Sequence, residues 1–259
     1  MSSVRMRSLS RLVLGIVLAA TSARLSGADT VAVAAAANLT YVLAPLDQEF
    51  QRQNPEFSVR SEIGASGSLV AQIKNGAPYD VFLSADMDFP RRLIAEGGAE
   101  ATSLVIFAYG KLILWTTRPG LDLSSIEAVV RNPEVKRIAV ANPKLAPYGR
   151  AAEEVLSKLK LGSEAAPKTV YGENITQTAQ FVSSGNADAG FVAFSLVTAP
   201  NLKEKGRWIE VPADLYAPIA QGAVLTTRGA ANAAARKYLL FLATPEARAV
   251  FARFGYGLP

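Results

Sequence analysis

Two small polar residues stand where apolar β runs give way to helical patterns: Asn38 in Ala35-Ala36-Ala37-Asn38-Leu39-Thr40 and Ser66 in Gly64-Ala65-Ser66-Gly67-Ser68-Leu69. A helix start presents backbone N–H groups that have no partner inside the helix, and it carries the positive end of the summed peptide dipoles. Two such starts facing one point make a site for an anion without any charged side chain. Asn38 offers a carboxamide and a backbone N–H, and Ser66 a hydroxyl and a backbone N–H. Both residue types are equally at home as plain helix caps or turn residues. Gly64 to Ser68 also approaches the G-x-S-x-G pattern of hydrolases, but the last position is Ser and the chain has no His to activate Ser66.

Composition narrows the chemistry further. The absence of Cys excludes disulfides, thiolate catalysis and Cys-ligated metals, and the absence of His removes the usual pH-7 acid–base group and the commonest metal ligand. No Ser-His-Asp or Cys-His arrangement can form, which points away from an enzyme. Asp80, Asp86 and Asp88 remain as carboxylates for acid–base work, but Asp80 and Asp86 read as turn and cap positions flanking a strand. The formal charge is +5, yet Arg5, Arg7, Arg11 and Arg24 lie in a leader without acids. Without those four arginines, 23 basic residues face 22 acidic ones, so nucleic-acid binding loses its electrostatic basis.

That leader has the anatomy of a secretory signal peptide over residues 1–28: arginines, an uncharged run from Leu12 to Ala23, then small residues that suit cleavage after Ala28, the favoured site, or after Ala23. The run is shorter than the ~20 residues that span a bilayer. With no Cys to carry a lipid, the mature chain is expected to be soluble in a periplasm.

The elements that must position Asn38 and Ser66 follow an α/β pattern. A buried strand is expected at Thr30 to Ala35, an alternating strand at Phe57 to Ile63 and a third strand at Tyr79 to Ser84, with helices from Leu39 to Phe50 and from Leu69 to Lys74. A long β-rich stretch from Leu104 to Thr117, broken at Gly110-Lys111, is suited to crossing between lobes. The pattern then restarts with Ile138 to Ala141, a helix from about Gly149 to Lys160, Thr169 to Tyr171, a helix from Thr176 to Ser183, and Ala189 to Phe194. Ile219 to Thr226 reads as a return crossing, and helices over Asn232 to Leu242 and Glu246 to Phe254 close the chain. Two α/β sets joined by two crossing strands predict a hinged, two-lobed protein with its ligand between the lobes.

In order and spacing, these motifs resemble the periplasmic molybdate-binding proteins of ABC transporters over nearly the whole mature chain. The matching stretches include those around Asn38 and Ser66, Asn75-Gly76-Ala77-Pro78-Tyr79-Asp80, Pro147-Tyr148-Gly149, Gly172-Glu173-Asn174-Ile175 and Thr244-Pro245-Glu246. The resemblance implies a type II periplasmic binding fold, each lobe a mostly parallel sheet flanked by helices. Residues 29–109 with 218–259 would form lobe I, and 110–217 lobe II. It implies capture of molybdate or tungstate by Asn38, Ser66, Tyr148 and Ile175, the last through its backbone N–H, with no metal-ion ligands and no cofactor. The implied partner is an inner-membrane ABC permease with its ATPase, and the protein would be a monomer. Tyr148 offers a neutral phenol donor or simply a half-buried ring, and Ile175 could equally be core. Many members carry a Tyr where this chain has Ala193; Tyr148 stands where its hydroxyl can substitute. Sulfate or another small anion remains a second ligand class, and a secreted enzyme on the same fold a third reading.

Overall fold

The computed structural model describes residues 29–259; the leader over 1–28 lies outside them. In chain order the elements are β1 (Asp29–Ala36), α1 (Leu43–Gln53), β2 (Phe57–Gly64), α2 (Ser66–Lys74), β3 (Val81–Leu83), α3 (Asp88–Ala95), β4 (Val105–Gly110) and β5 (Leu112–Thr116). There follow α4 (Ile126–Arg131), β6 (Ile138–Ala141), α5 (Pro147–Lys158), α6 (Gly162–Ala165), β7 (Thr169–Gly172), α7 (Ile175–Ser183), β8 (Ala189–Ala193) and α8 (Phe194–Val197). The chain finishes with β9 (Arg207–Glu210), β10 (Ile219–Leu225), α9 (Ala233–Phe241) and α10 (Pro245–Arg253).

Two five-stranded sheets result, ordered β2-β1-β3-β10-β4 and β7-β6-β8-β5-β9. In each, a parallel half comes from strands that alternate with helices, as β1 with β2 and β3, and β6 with β7 and β8. The antiparallel half comes from strands next to the crossings: β10 against β3 and β4, and β5 against β8 and β9. The sheets are therefore mixed, because a chain that passes to the second sheet and returns must run back against the strands it left. Lys111 alone separates β4 from β5 at the first crossing.

Register decides where the helix starts lie. Ala36 pairs with Gly64, so the strand ends leading to Asn38 and Ser66 emerge side by side. In the second sheet Ala141 pairs with Gly172, which brings the approaches to Tyr148 and Ile175 together in the same way. Both sites are carboxyl ends of parallel strands, where open α/β sheets bind ligands.

Most sequence-based boundaries hold within a few residues; the first helix does not. After a tight 3₁₀ turn at Ala37–Leu39, α1 begins only at Leu43. A helix begun at Leu39 would bury Pro45 in its interior, where the missing N–H breaks the ladder. Starting at Leu43 puts it in the first turn, where no donor is needed. The pattern also gives no warning of α3, whose first turn is tied by Phe89 N–H donating to Asp86 Oδ1 at 3.1 Å.

Each sheet has its own main core, and Ala36, Ala37 and Ala85, at the ends of first-sheet strands, pack into the second. Leu46, Phe50, Tyr238 and Phe251 anchor the first, and Trp115, Val140, Val155 and Phe191 the second. In the first core, half-buried Asp47 accepts from Tyr238 Oη at 2.7 Å and Ser61 Oγ at 3.1 Å, and burial raises its pKa to about 6. The folded state thus binds the Asp47 proton more tightly than the unfolded chain. Its contribution to stability falls as pH rises from about 4 to about 6, by up to about 3 kcal/mol, and is flat above that. Urea denaturation across this range should show that slope in the native protein and lose it in Asp47→Asn.

Candidate functional site

Five chain segments meet at one small cleft between the sheets. Ala36, Ala37 and Asn38 line it from the end of β1, Gly64, Ala65 and Ser66 from the start of α2, and Ala85 from the turn after β3. Ala146, Pro147 and Tyr148 close it from the start of α5, and Asn174 and Ile175 from the start of α7. The cavity between them is only about 10 Å³, far below the several hundred Å³ of pockets for drug-sized ligands. A larger hollow bordered by Lys74, Tyr79, Glu96 and Arg228 lies on an outer surface, away from these element starts.

All four residues singled out from the sequence are brought together here and are buried: Asn38, Ser66 and Tyr148 to 1% exposure, Ile175 to 3%. Their backbone N–H groups sit in first turns, where no helical carbonyl can reach them, and they meet no acceptor among the described residues. Local sequence sets this up. Pro147 occupies the first position of α5, where its lack of an N–H costs nothing, and leaves Tyr148 as the first donor of that helix. Asn174 caps α7 by accepting from Gln177 N–H at 3.0 Å, so Ile175 N–H stays free.

Side chains divide between lining the cleft and holding it. Ser66 Oγ accepts from Ala85 N–H at 3.1 Å, which leaves its own proton available to the cleft. The Asn38 carboxamide is engaged within the protein instead, donating to Gln221 Oε1 at 3.0 Å and Tyr256 Oη at 2.8 Å. Tyr148 Oη accepts from Gln221 Nε2 at 3.2 Å, and burial holds its phenol well above the ordinary range, so it stays protonated. Ala193, buried at the end of β8, does not line the cleft.

Among the described residues no charged side chain borders the cleft, and no group of three or more His, Cys, Asp or Glu could hold a metal ion. Asp80 and Asp86 have structural work. Asp80 Oδ2 accepts from Ala32 N–H at 2.9 Å and pairs with Arg228, while Asp86 pairs with Arg150 of α5 across the lobes. Burial pushes the Asp86 carboxyl up, against the opposing pull of the Phe89 N–H and Arg150. Further ties close the lobes on each other: Gly67 N–H donates to Leu145 O at 2.9 Å, and Thr176 Oγ1 to Ala37 O at 2.8 Å.

Gln221, Tyr256 and Ser195 escaped the sequence reading. Ser195 Oγ and Tyr256 Oη both donate to Asn38 O at 2.9 Å, fixing the turn that carries Asn38. A detectable trace of Gln221 existed: it is the one amide in the otherwise apolar run Ile219-Ala-Gln221-Gly-Ala-Val-Leu225, and such a residue in a buried strand must have partners.

A family model for bacterial extracellular solute-binding proteins matches residues 31–257. The molybdate-binding protein ModA of Azotobacter vinelandii is 43% identical over 97% of this chain and 98% of its own length. ModA of Rhodobacter capsulatus is 41% identical over 95% and 92%. The solved structure of the Azotobacter vinelandii periplasmic molybdate-binding protein superposes with a TM-score of 0.83 at 36% identity, covering 88% of this chain and 99% of that one.

Gly110, beside the crossing, makes room for the site, because a Cβ there would overlap Tyr148 Oη. Gly110→Ala should lower stability in urea by about 1–3 kcal/mol, the usual cost of overpacking. Tyr148→Phe in the same chain should recover part of that loss by removing the overlapping hydroxyl.

Proposed function

The chain belongs to the bacterial extracellular solute-binding proteins, and we propose from that premise that it captures molybdate, and tungstate with it, in the periplasm and hands the oxyanion to an ABC permease with its ATPase. In this reading residues 29–109 and 218–259 form one lobe and 110–217 the other. They close on the anion, and the protein acts as a monomeric binder without catalysis.

The observation that carries the reading is the convergence of buried, unpaired N–H groups at Asn38, Ser66, Tyr148 and Ile175, joined by the Ser66 hydroxyl, on a cleft with no carboxylate in its wall. Molybdate and tungstate are fully deprotonated dianions near neutral pH and only accept hydrogen bonds. Phosphate keeps a proton and needs an acceptor in return. Positive charge comes from oriented peptide dipoles at α2, α5 and α7 rather than from Lys or Arg. The two ModA relatives bear names that agree with this chemistry.

Isothermal titration of residues 29–259 with molybdate, tungstate, sulfate and phosphate tests the proposal. The expected result is tight one-to-one binding of the first two and silence from the others. Ser66→Ala should weaken molybdate binding by about tenfold to a hundredfold, the range for a hydrogen bond to a charged group. Binding of sulfate as tightly as molybdate would overturn the selectivity, and silence from all four would overturn the ligand class.

A further inference from the structure

Gln221 touches residues of both lobes and lines neither wall of the cleft. It is fully buried on β10, at a bulge where the β10–β4 register shifts between Gln221 and Gly222. Bulges turn side chains out of the regular alternation, and here the amide is delivered between Asn38 and Tyr148. Its Oε1 accepts from Asn38 Nδ2 at 3.0 Å and its Nε2 donates to Tyr148 Oη at 3.2 Å. The hydrogen bonds therefore run in one direction, from Asn38 through Gln221 to the phenol.

A phenol has one proton. While its oxygen accepts from Gln221, that proton is free to be given elsewhere, and Tyr148 lines the cleft. If the Gln221 amide were turned over, Oε1 would take the phenol proton, and Tyr148 could present only lone pairs to an anion. The observed direction has a cost, because Asn38 Oδ1 is left buried with no partner among the described residues. An orphaned buried acceptor costs about 1–3 kcal/mol. Turning both amides would not remove this cost, because Asn38 Nδ2 would then take the partnerless place of Oδ1. Tyr256 holds the Asn38 amide against such a turn. It accepts from Asn38 Nδ2 at 2.8 Å while giving its own proton to Asn38 O at 2.9 Å.

We infer that Gln221 is a positioning residue for anion recognition: by donating to Tyr148 Oη it aims the phenol proton into the cleft, and so makes the hinge strand a determinant of the site's preference for anions that only accept. The inference rests on the oxyanion reading above. Gln221→Glu replaces the donor by an acceptor of nearly the same shape, which draws the Tyr148 proton away from the cleft.

The test is a double-mutant cycle in molybdate affinity, measured by titration calorimetry on the wild type, Gln221→Glu, Tyr148→Phe and the double variant. Gln221 is fully buried, and a glutamate in such a place can keep its proton up to about pH 8–9, so the measurements are made at a pH of about 9.5, where it is ionised. Each single variant should bind about tenfold to a hundredfold more weakly than wild type. The loss caused by Gln221→Glu should shrink several-fold when Tyr148 is already Phe, because the proton it redirects is gone. An equal loss in both backgrounds would overturn the inference, since charge repulsion or disturbed packing acts without the phenol. Wild-type affinity in Tyr148→Phe would overturn it as well, and that variant decides the matter alone if Gln221→Glu does not fold. Failure of the wild type itself to bind molybdate would instead remove the oxyanion reading, and the inference with it.

Discussion

A buried backbone N–H without an acceptor costs about 1–3 kcal/mol, and native proteins rarely leave one. Here four converge on a single cleft, at Asn38, Ser66, Tyr148 and Ile175. Much of the architecture near the cleft follows from keeping them there. The pairings Ala36 with Gly64 and Ala141 with Gly172 bring strand ends together two by two. Gly149 lets the start of α5 approach the Ala141 carbonyl so closely that a Cβ would collide with it. Such an arrangement is costly unless an acceptor is supplied to all four donors, which is the ground for the proposed anion.

Neutrality of the wall is the second physical theme. Asp86 and Arg150 come close, but they neutralise each other across the lobes and leave the cleft to dipoles. Side chains that line it are held from behind by uncharged groups: Gln221 against Tyr148, Ala85 N–H against Ser66, and Tyr256 and Ser195 against the Asn38 turn. Several of these supports reach across from the other sheet or from the strand next to the crossing. Separation of the lobes would therefore part the donor array and break the Gln221–Tyr148 and Ser195–Asn38 contacts, which couples binding to closure.

Legibility in the sequence tracked the range of the interactions. Asn38 and Ser66 can be found because a strand end, a small polar residue and a helix start are adjacent in the chain. Tyr148 and Ile175 announced themselves only through the family resemblance, since a buried Tyr and a buried Ile at helix starts are ordinary core residues. The function of Asn38's carboxamide was not legible, because its partners, Gln221 and Tyr256, lie about two hundred residues away in the chain. Pro45 is the one local clue that the first helix begins late, since its missing N–H fits a first turn and not a helix interior. The antiparallel halves of the sheets were hidden for a different reason: strand direction beside a crossing is set by topology, and nothing in a strand's own residues records it.

The central claim, that backbone donors from four separate elements hold the ligand, is tested most directly by amide proton and nitrogen NMR shifts of the mature chain with and without molybdate. The account predicts that the amides of Asn38, Ser66, Tyr148 and Ile175 move together to the positions of strongly hydrogen-bonded groups at one equivalent of anion. Saturable binding that leaves these four amides in place, or that shifts only one lobe's pair, would contradict it.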